Sequence, residues 1–207
     1  MHKHVVYPAL LALILVSATA LAEKNLSLTV DQSGNHYRTQ LITRVTAKPD
    51  TVYQLLTAYE RLSSINSLIR HSELLANGYL LLKLESCLAF LCFQKQQTLR
   101  LTTDGYSLNA EVIPELSDFS SGWVHWVLTP DGEQTLIHFS SEMVPSFWLP
   151  PWLGPLLVKH ALTTESINSL RLLEKAIRSI ESWPLSAVTF QRGNLIYSMP
   201  AYRLLSF

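Results

Sequence analysis

Three hairpin signals within about seventy residues constrain this chain more than any other feature of the sequence. Asn77-Gly78, Asp104-Gly105 and Asp131-Gly132 separate runs that alternate apolar and polar residues, and these residue types tolerate the positive φ of tight turns. Strands joined by such short turns must be antiparallel. The pattern predicts a meander without crossover helices. Its strands are expected at 73–76, 79–87, 92–102, 106–113, 122–128 and 134–143.

The segments around this meander predict how the sheet is covered. Strands are expected at 26–30 and 37–47, and two short helices follow, one opened by Pro49 and one over 62–69. After the meander, Pro155 opens a long helix to about residue 182. Its apolar stripe, at i+3 and i+4 spacing, consists of Val158, Leu162, Ser166, Leu170, Leu173, Ile177 and Ile180.

A single long amphipathic helix after such a sheet can bury its stripe across the concave face of the sheet. The predicted fold class is therefore α+β, a helix-grip arrangement. A curved antiparallel sheet wraps around the long C-terminal helix, and a cavity lies between them.

The first 22 residues have the layout of a secretory signal peptide. Residues 2–4 are polar and basic, residues 5–16 are mostly apolar, and small residues lead to Ala20-Leu21-Ala22. Cleavage is expected between Ala22 and Glu23, which would release the protein into a periplasm or outside the cell. A membrane anchor is the alternative, but about 20 apolar residues are needed to span a bilayer. The domain is expected to cover residues 23–183, and we assign no role to the extension 184–207.

The two cysteines agree with an oxidising compartment. Cys87 and Cys92 flank four residues between two expected strands, so a disulfide could close the end of a hairpin. Two free thiols and a redox site are the alternatives. The C-x-x-C spacing of redox sites is absent, and a zinc site would need more ligands nearby.

The charge balance argues against a nucleic-acid partner. Lys plus Arg and Asp plus Glu each count 16, with no basic stripe. Only 15% of residues are charged and 48% are apolar. This fraction of charged residues is low for a soluble domain. Apolar side chains that line a pocket would produce this composition, and so would a large apolar core.

Two segments resemble the START-like superfamily known as SRPBCC. Residues 47–62, AKPDTVYQLLTAYERL, resemble its A-x-P-x-x-V-W-x-L-L-T-D-Y-E-R-L-P pattern, with Ala58 where Asp is frequent. Ser63 stands where that pattern has Pro. Residues 147–155, FWLPPWLGP, and the following helix resemble the family's last part. The resemblance covers roughly residues 36–180 and is nearest to the polyketide cyclase/dehydrase and coenzyme Q-binding subgroup.

This resemblance implies a helix-grip fold and an apolar ligand. It implies no particular reaction, because the family includes lipid carriers, quinone binders, cyclases and hydrolases without a shared catalytic set.

Aromatic residues and the long helix supply the candidate ligand contacts. Trp123 and Trp126 lie on opposite faces of one strand, so at least one is expected to face inward. The aromatic lead-in to the helix could form the cavity mouth or touch a membrane surface transiently, or it could pack the helix onto the sheet. The candidate ligand-binding residues are Trp123, His125, Trp126, Phe147, Trp148, Trp152, Leu162 and Leu170.

The sequence carries no recognisable catalytic motif, no metal-ligand spacing and no sign of a cofactor. If the protein were an enzyme, His138 and Glu142 would be the candidates, because they share a strand face with Ser140. An outward-facing, solvated strip is the alternative for these three residues. The leading interpretation is a non-catalytic binding or carrier protein for a lipid or isoprenoid quinone. A cyclase- or hydrolase-like enzyme and an interaction module with a filled cavity are the other two.

Overall fold

The computed structural model describes residues 26–88, 91–149 and 154–181. In these residues the chain forms eight strands, two α-helices and two short 3₁₀ turns. The strands are β1 (Ser27–Ser33), β2 (His36–Val45), β3 (Ile69–Leu74), β4 (Tyr79–Leu88), β5 (Leu91–Asp104), β6 (Ser107–Val112), β7 (Phe119–Asp131) and β8 (Gln134–Pro145). The helices are α1 (Pro49–Thr57) and α2 (Gly154–Glu181), and the 3₁₀ turns are Tyr59–Ser64 and Pro114–Leu116.

All eight strands form one curved antiparallel sheet in the order β1-β2-β8-β7-β6-β5-β4-β3. The strands from β3 to β8 are neighbours in chain order, which is the predicted meander. The last of them, β8, also pairs with β2, and β1 lies beyond β2 at the edge of the sheet. With α2 following the sheet, the predicted helix-grip fold class is confirmed.

The hairpin turns form where glycine relieves the backbone. Gly78, Gly105 and Gly132 have φ values of 81°, 54° and 63°, in the left-handed region where a Cβ atom is costly. The turn signals read from the sequence therefore sit at the turns of the meander, and they set the register of the strands on either side.

The prediction of a second short helix over 62–69 was wrong in both the extent and the type of the element. The chain forms a 3₁₀ turn over Tyr59–Ser64, and Ile69 already belongs to β3, where it pairs with Leu84. The i+3 spacing of apolar residues that suggested a helix has a different origin. Ile65 and Ile69 are both buried, one after a tight turn and the other as the first residue of an edge strand.

The core lies where α1 and α2 meet the sheet. Leu170, Leu173 and Ile177 of α2 are buried in one cluster that includes Val52 of α1 and Ile137 of β8. Ile180 was expected to continue this stripe, but its side chain is 45% exposed. It lies almost one turn beyond Ile177 and outside that cluster, so the stripe ends before the helix does.

Three sequence predictions lie outside the described residues: the signal peptide at 1–22, Trp152, and the extension from 184 onward. Of the helices that are described, neither is long and apolar enough to cross a bilayer.

Candidate ligand cavity

A cavity of about 260 Å³ lies between α2 and the concave face of the sheet. Its wall is mostly apolar. The aliphatic and aromatic side chains that line it include Leu41, Leu56, Leu62, Ile65, Leu80, Leu82, Leu99, Leu101, Leu108, Ala110, Val124, Trp126, Ile137, Phe139, Met143, Leu162, Leu170 and Leu173. These residues come from both helices, the 3₁₀ turn after α1 with the residue that follows it, and six of the strands, so most of the described elements contribute to one site.

An aromatic pair forms part of the sheet wall. Trp126 of β7 lies opposite Phe139 of β8 in the ladder, and their ring centroids are 4.5 Å apart. Leu41 of β2 lies on the far side of Phe139. Flat apolar rings at this position offer a ligand a surface for stacking.

Hydroxyl groups interrupt the apolar wall along β2. This strand alternates buried and exposed side chains over its length, which brings Thr39, Leu41 and Thr43 to the cavity side. Thr39 and Thr43 are 2% and 0% exposed, and neither hydroxyl oxygen has a hydrogen-bond partner among the described residues. Ser141 of β8 lies directly across from Thr39.

Glu165 of α2 supplies a carboxyl group to the cavity wall. Its side chain is buried, with 8% exposure. Oε1 accepts hydrogen bonds from the Ser67 backbone N–H at 2.7 Å and the Ser169 hydroxyl at 2.8 Å, and Oε2 accepts one from the Ser67 hydroxyl. These bonds tie α2 to the segment between the 3₁₀ turn and β3.

Sequence reasoning missed Glu165, although a signal was present. Leu162, Glu165, Ser169 and Leu173 follow one another at i+3 and i+4 spacing, so the carboxyl group shares the apolar face of the helix. A charged residue inside such a stripe is an exception that needs a partner.

Three of the candidate ligand-binding residues line the cavity: Trp126, Leu162 and Leu170. Trp123 and His125 do not. They alternate along β7 with Val124 and Trp126, so their side chains belong to the outer face of the sheet, where Trp123 is 40% exposed.

The aromatic lead-in to α2 lies away from the cavity lining. Phe147 packs edge-on against Phe119 with 5.8 Å between ring centroids, and the Lys95 ammonium lies 4.4 Å from the Phe147 ring. Trp148 is 78% exposed.

His138 and Glu142 lie on the outer face of β8, on the opposite side from Phe139 and Met143. Glu142 forms a hydrogen bond there with His36, at 2.8 Å, and an ion pair with Arg38. The hydrogen bonds from these two residues lower the pKa of the Glu142 carboxyl below its ordinary value, His36 contributing most. The structure thus places these two residues outside the cavity.

The register of β4 and β5 places Cys87 directly across from Cys92. Opposed positions in neighbouring antiparallel strands have closely spaced Cβ atoms, so the backbone is arranged as the predicted hairpin disulfide requires.

No family model and no curated protein matches this chain, but solved structures share its fold. An aromatase/cyclase from Streptomyces sp. R1128 aligns with a TM-score of 0.57 and 18% identity, covering 71% of this chain and 97% of its own. A START superfamily protein from Mycobacterium smegmatis aligns at 0.55 and 18%, covering 69% and 98%. A STAR-related lipid transfer protein from Xanthomonas axonopodis aligns at 0.55 and 16%, covering 74% and 98%.

The fold and its internal cavity define a helix-grip protein. More specifically, this fold is START-like, as the sequence resemblance predicted.

Proposed function

We propose that this protein is an exported binding or carrier protein that holds an apolar small molecule, a lipid or an isoprenoid quinone, in its internal cavity. The observation that carries the proposal is the cavity of about 260 Å³ lined mainly by aliphatic and aromatic side chains. A fold-sharing protein from Xanthomonas axonopodis is named as a lipid transfer protein, which supports this choice.

The size of the cavity indicates what fits. Ligand pockets commonly span roughly 300–1,000 Å³, so this cavity suits a compact molecule or one end of a longer one. Burying roughly 300 Å² of apolar ligand surface, at about 25 cal/mol per Å², contributes some 7 kcal/mol before the costs of association. That is sufficient for reversible carriage.

Export belongs to the same proposal. Cleavage between Ala22 and Glu23 would release the domain into the periplasm, where Cys87 and Cys92 could form their disulfide. Trp148 and Leu156, which are 78% and 66% exposed, are candidates for transient contact with a membrane surface when ligand is collected. Amino-terminal sequencing of protein from the periplasmic fraction tests the cleavage site, since a chain beginning before Glu23 would contradict it.

Native mass spectrometry of residues 23–207 tests the binding function. The wild-type protein is expected to carry a co-purified apolar molecule that solvent extraction releases. Ala110→Phe places a ring in the cavity and should reduce this occupancy, because Ala110 lines the wall.

Glu111→Phe is the matched control, because Glu111 is the next residue of β6 and is exposed. It should retain the ligand. An empty wild-type protein that also fails to bind a panel of lipids and quinones would contradict the proposed function.

A further inference from the structure

The described residues that line the cavity include one carboxyl group and no basic side chain. Among the described residues that line it, none is Lys, Arg or His, and Glu165 carries the one carboxyl group. A ligand carboxylate entering this space would lose its hydration without gaining a cationic partner. It would also share an apolar cavity with another carboxyl group, which is unfavourable for two like charges.

Glu165 is fixed in the role of a hydrogen-bond acceptor. All three of its recorded partners are donors without charge, namely the Ser67 backbone N–H and the hydroxyls of Ser67 and Ser169. A carboxyl group has further lone pairs that can accept from a ligand. The geometry therefore favours a ligand group that donates a hydrogen bond and disfavours a second acceptor that carries charge.

Two unpartnered hydroxyls face the same space from the sheet. Thr39 and Thr43 are almost completely buried and line the cavity, and within the part of the chain that the structure describes their hydroxyls have no hydrogen-bond partner. Leaving a buried polar group unpaired is costly, and such groups usually have a reason in the native structure. A hydroxyl can donate or accept, so each of these could bind a ligand hydroxyl or carbonyl oxygen.

We propose that the cavity selects neutral ligands that carry a hydroxyl or carbonyl oxygen on a compact apolar body, and that it rejects carboxylates. In this assignment Thr39 and Thr43 recognise the oxygen, and Glu165 disfavours the acid. The inference rests on the proposed function, because it names the chemical class of ligand for the same cavity.

A series of naphthalene derivatives tests the selection with one ring system, which suits the aromatic wall of Trp126 and Phe139. The probes are naphthalene, 2-naphthol and 2-naphthoate, titrated at pH 7 into residues 23–207 after solvent extraction. The expected order is 2-naphthol first, naphthalene second and 2-naphthoate weakest. Tighter binding of 2-naphthoate than of 2-naphthol would overturn the proposal.

Glu165→Gln separates the effect of charge from that of shape. It should raise the affinity for 2-naphthoate about tenfold, because a like charge is removed, with little change for naphthalene. If the variant binds 2-naphthoate as weakly as the wild-type protein does, Glu165 does not contribute to the rejection of carboxylates.

The two threonines are tested together, because they are about 13 Å apart along β2 and a compact ligand reaches one at a time. The Thr39→Val/Thr43→Val double variant should bind 2-naphthol about fivefold more weakly and naphthalene as before. Thr29→Val is the matched control, since Thr29 is exposed on β1.

The two proposals fail in different ways. If naphthalene binds but 2-naphthol gains nothing over it, only the present inference is overturned. If no member of the series binds, the inference about compact ligands is overturned, and if the panel of lipids and quinones fails as well, the proposed function fails with it.

Discussion

Two buried threonines of equal exposure differ in what their hydroxyls contact. Thr135 and Thr43 are both 0% exposed. The Thr135 hydroxyl donates to the Ala47 carbonyl at 2.7 Å, whereas the Thr43 hydroxyl has no partner in residues 26–88, 91–149 and 154–181. The same substitution at the two positions should therefore have opposite effects on stability.

Thr135→Val should lower the free energy of unfolding by about 1–3 kcal/mol, because it leaves a buried carbonyl unpaired. Thr43→Val should be neutral or stabilising, because it removes a buried polar group that has no partner. Urea unfolding of the ligand-free protein measures both, and a destabilised Thr43→Val would indicate that its hydroxyl has a structural partner.

Glu142, on the outer face of the sheet, should make the stability of the protein depend on pH in the acidic range. Its pKa is lowered from the ordinary 4.5, first by the hydrogen bond with His36 and then by that with Arg38. In the unfolded chain the carboxyl binds protons at higher pH than in the folded one. Its contribution to stability is therefore present above about pH 4.5 and is lost as pH falls through the folded pKa.

Glu142→Gln should accordingly lower Tm at pH 6, and the gap to the wild-type protein should close toward pH 3. Glu133→Gln is the control, because that side chain is 83% exposed and its one recorded ion pair, with Lys48, is 3.5 Å long. A gap that stays constant across this pH range would contradict the linkage.

At the scale of elements, the apolar stripe that the sequence predicts for α2 is longer than the part of the helix that is packed against the rest of the protein. Ile177 and Ile180 both belong to the predicted stripe, yet Ile177 is 3% exposed and Ile180 is 45% exposed. Ile177→Ala should cost about 2–4 kcal/mol through lost burial and a cavity, whereas Ile180→Ala should cost less than about 0.5 kcal/mol. Thermal or urea unfolding compares them, and equal losses would mean that the last turn of the helix is covered in solution.

At the scale of the whole molecule, a disulfide bond in the β4–β5 hairpin would stabilise the fold. Because Cys87 lies across from Cys92, we expect a disulfide if the protein is exported as proposed. In the chain-entropy model, closing so short a loop contributes about 2 kcal/mol. Reduction should lower Tm without loss of ligand binding, because Cys92 is exposed and is not among the described residues that line the cavity. Two titratable thiols in the unreduced, unfolded protein would exclude the disulfide.

The architecture of the sheet also provides a matched control for each substitution in the cavity, namely the same substitution at the next residue of the strand. Adjacent residues of a strand face opposite sides of the sheet. Ala110 and Glu111, or Trp126 and His125, therefore differ in exposure to ligand while sharing the same local backbone.

Much of this architecture follows from local patterns. The Asn-Gly and Asp-Gly turns determined the meander, because glycine is favoured at the positive φ that the turns adopt. Pro49 and the helical spacing after Pro155 determined where the helices lie, and β-strand alternation divided Trp123 from Trp126. These signals act over a few residues and so are visible in the sequence.

Only the tertiary structure decided which face of each element borders the cavity. The sequence showed that Trp123 and Trp126 lie on opposite faces, but not which is inward, because alternation carries no direction. It also left Glu165 unnoticed, since its partner Ser67 is 98 residues away in the chain and no local pattern joins them. The ligand cavity is thus a property of packing, in which residues distant in sequence become a single wall once α2 lies across the sheet.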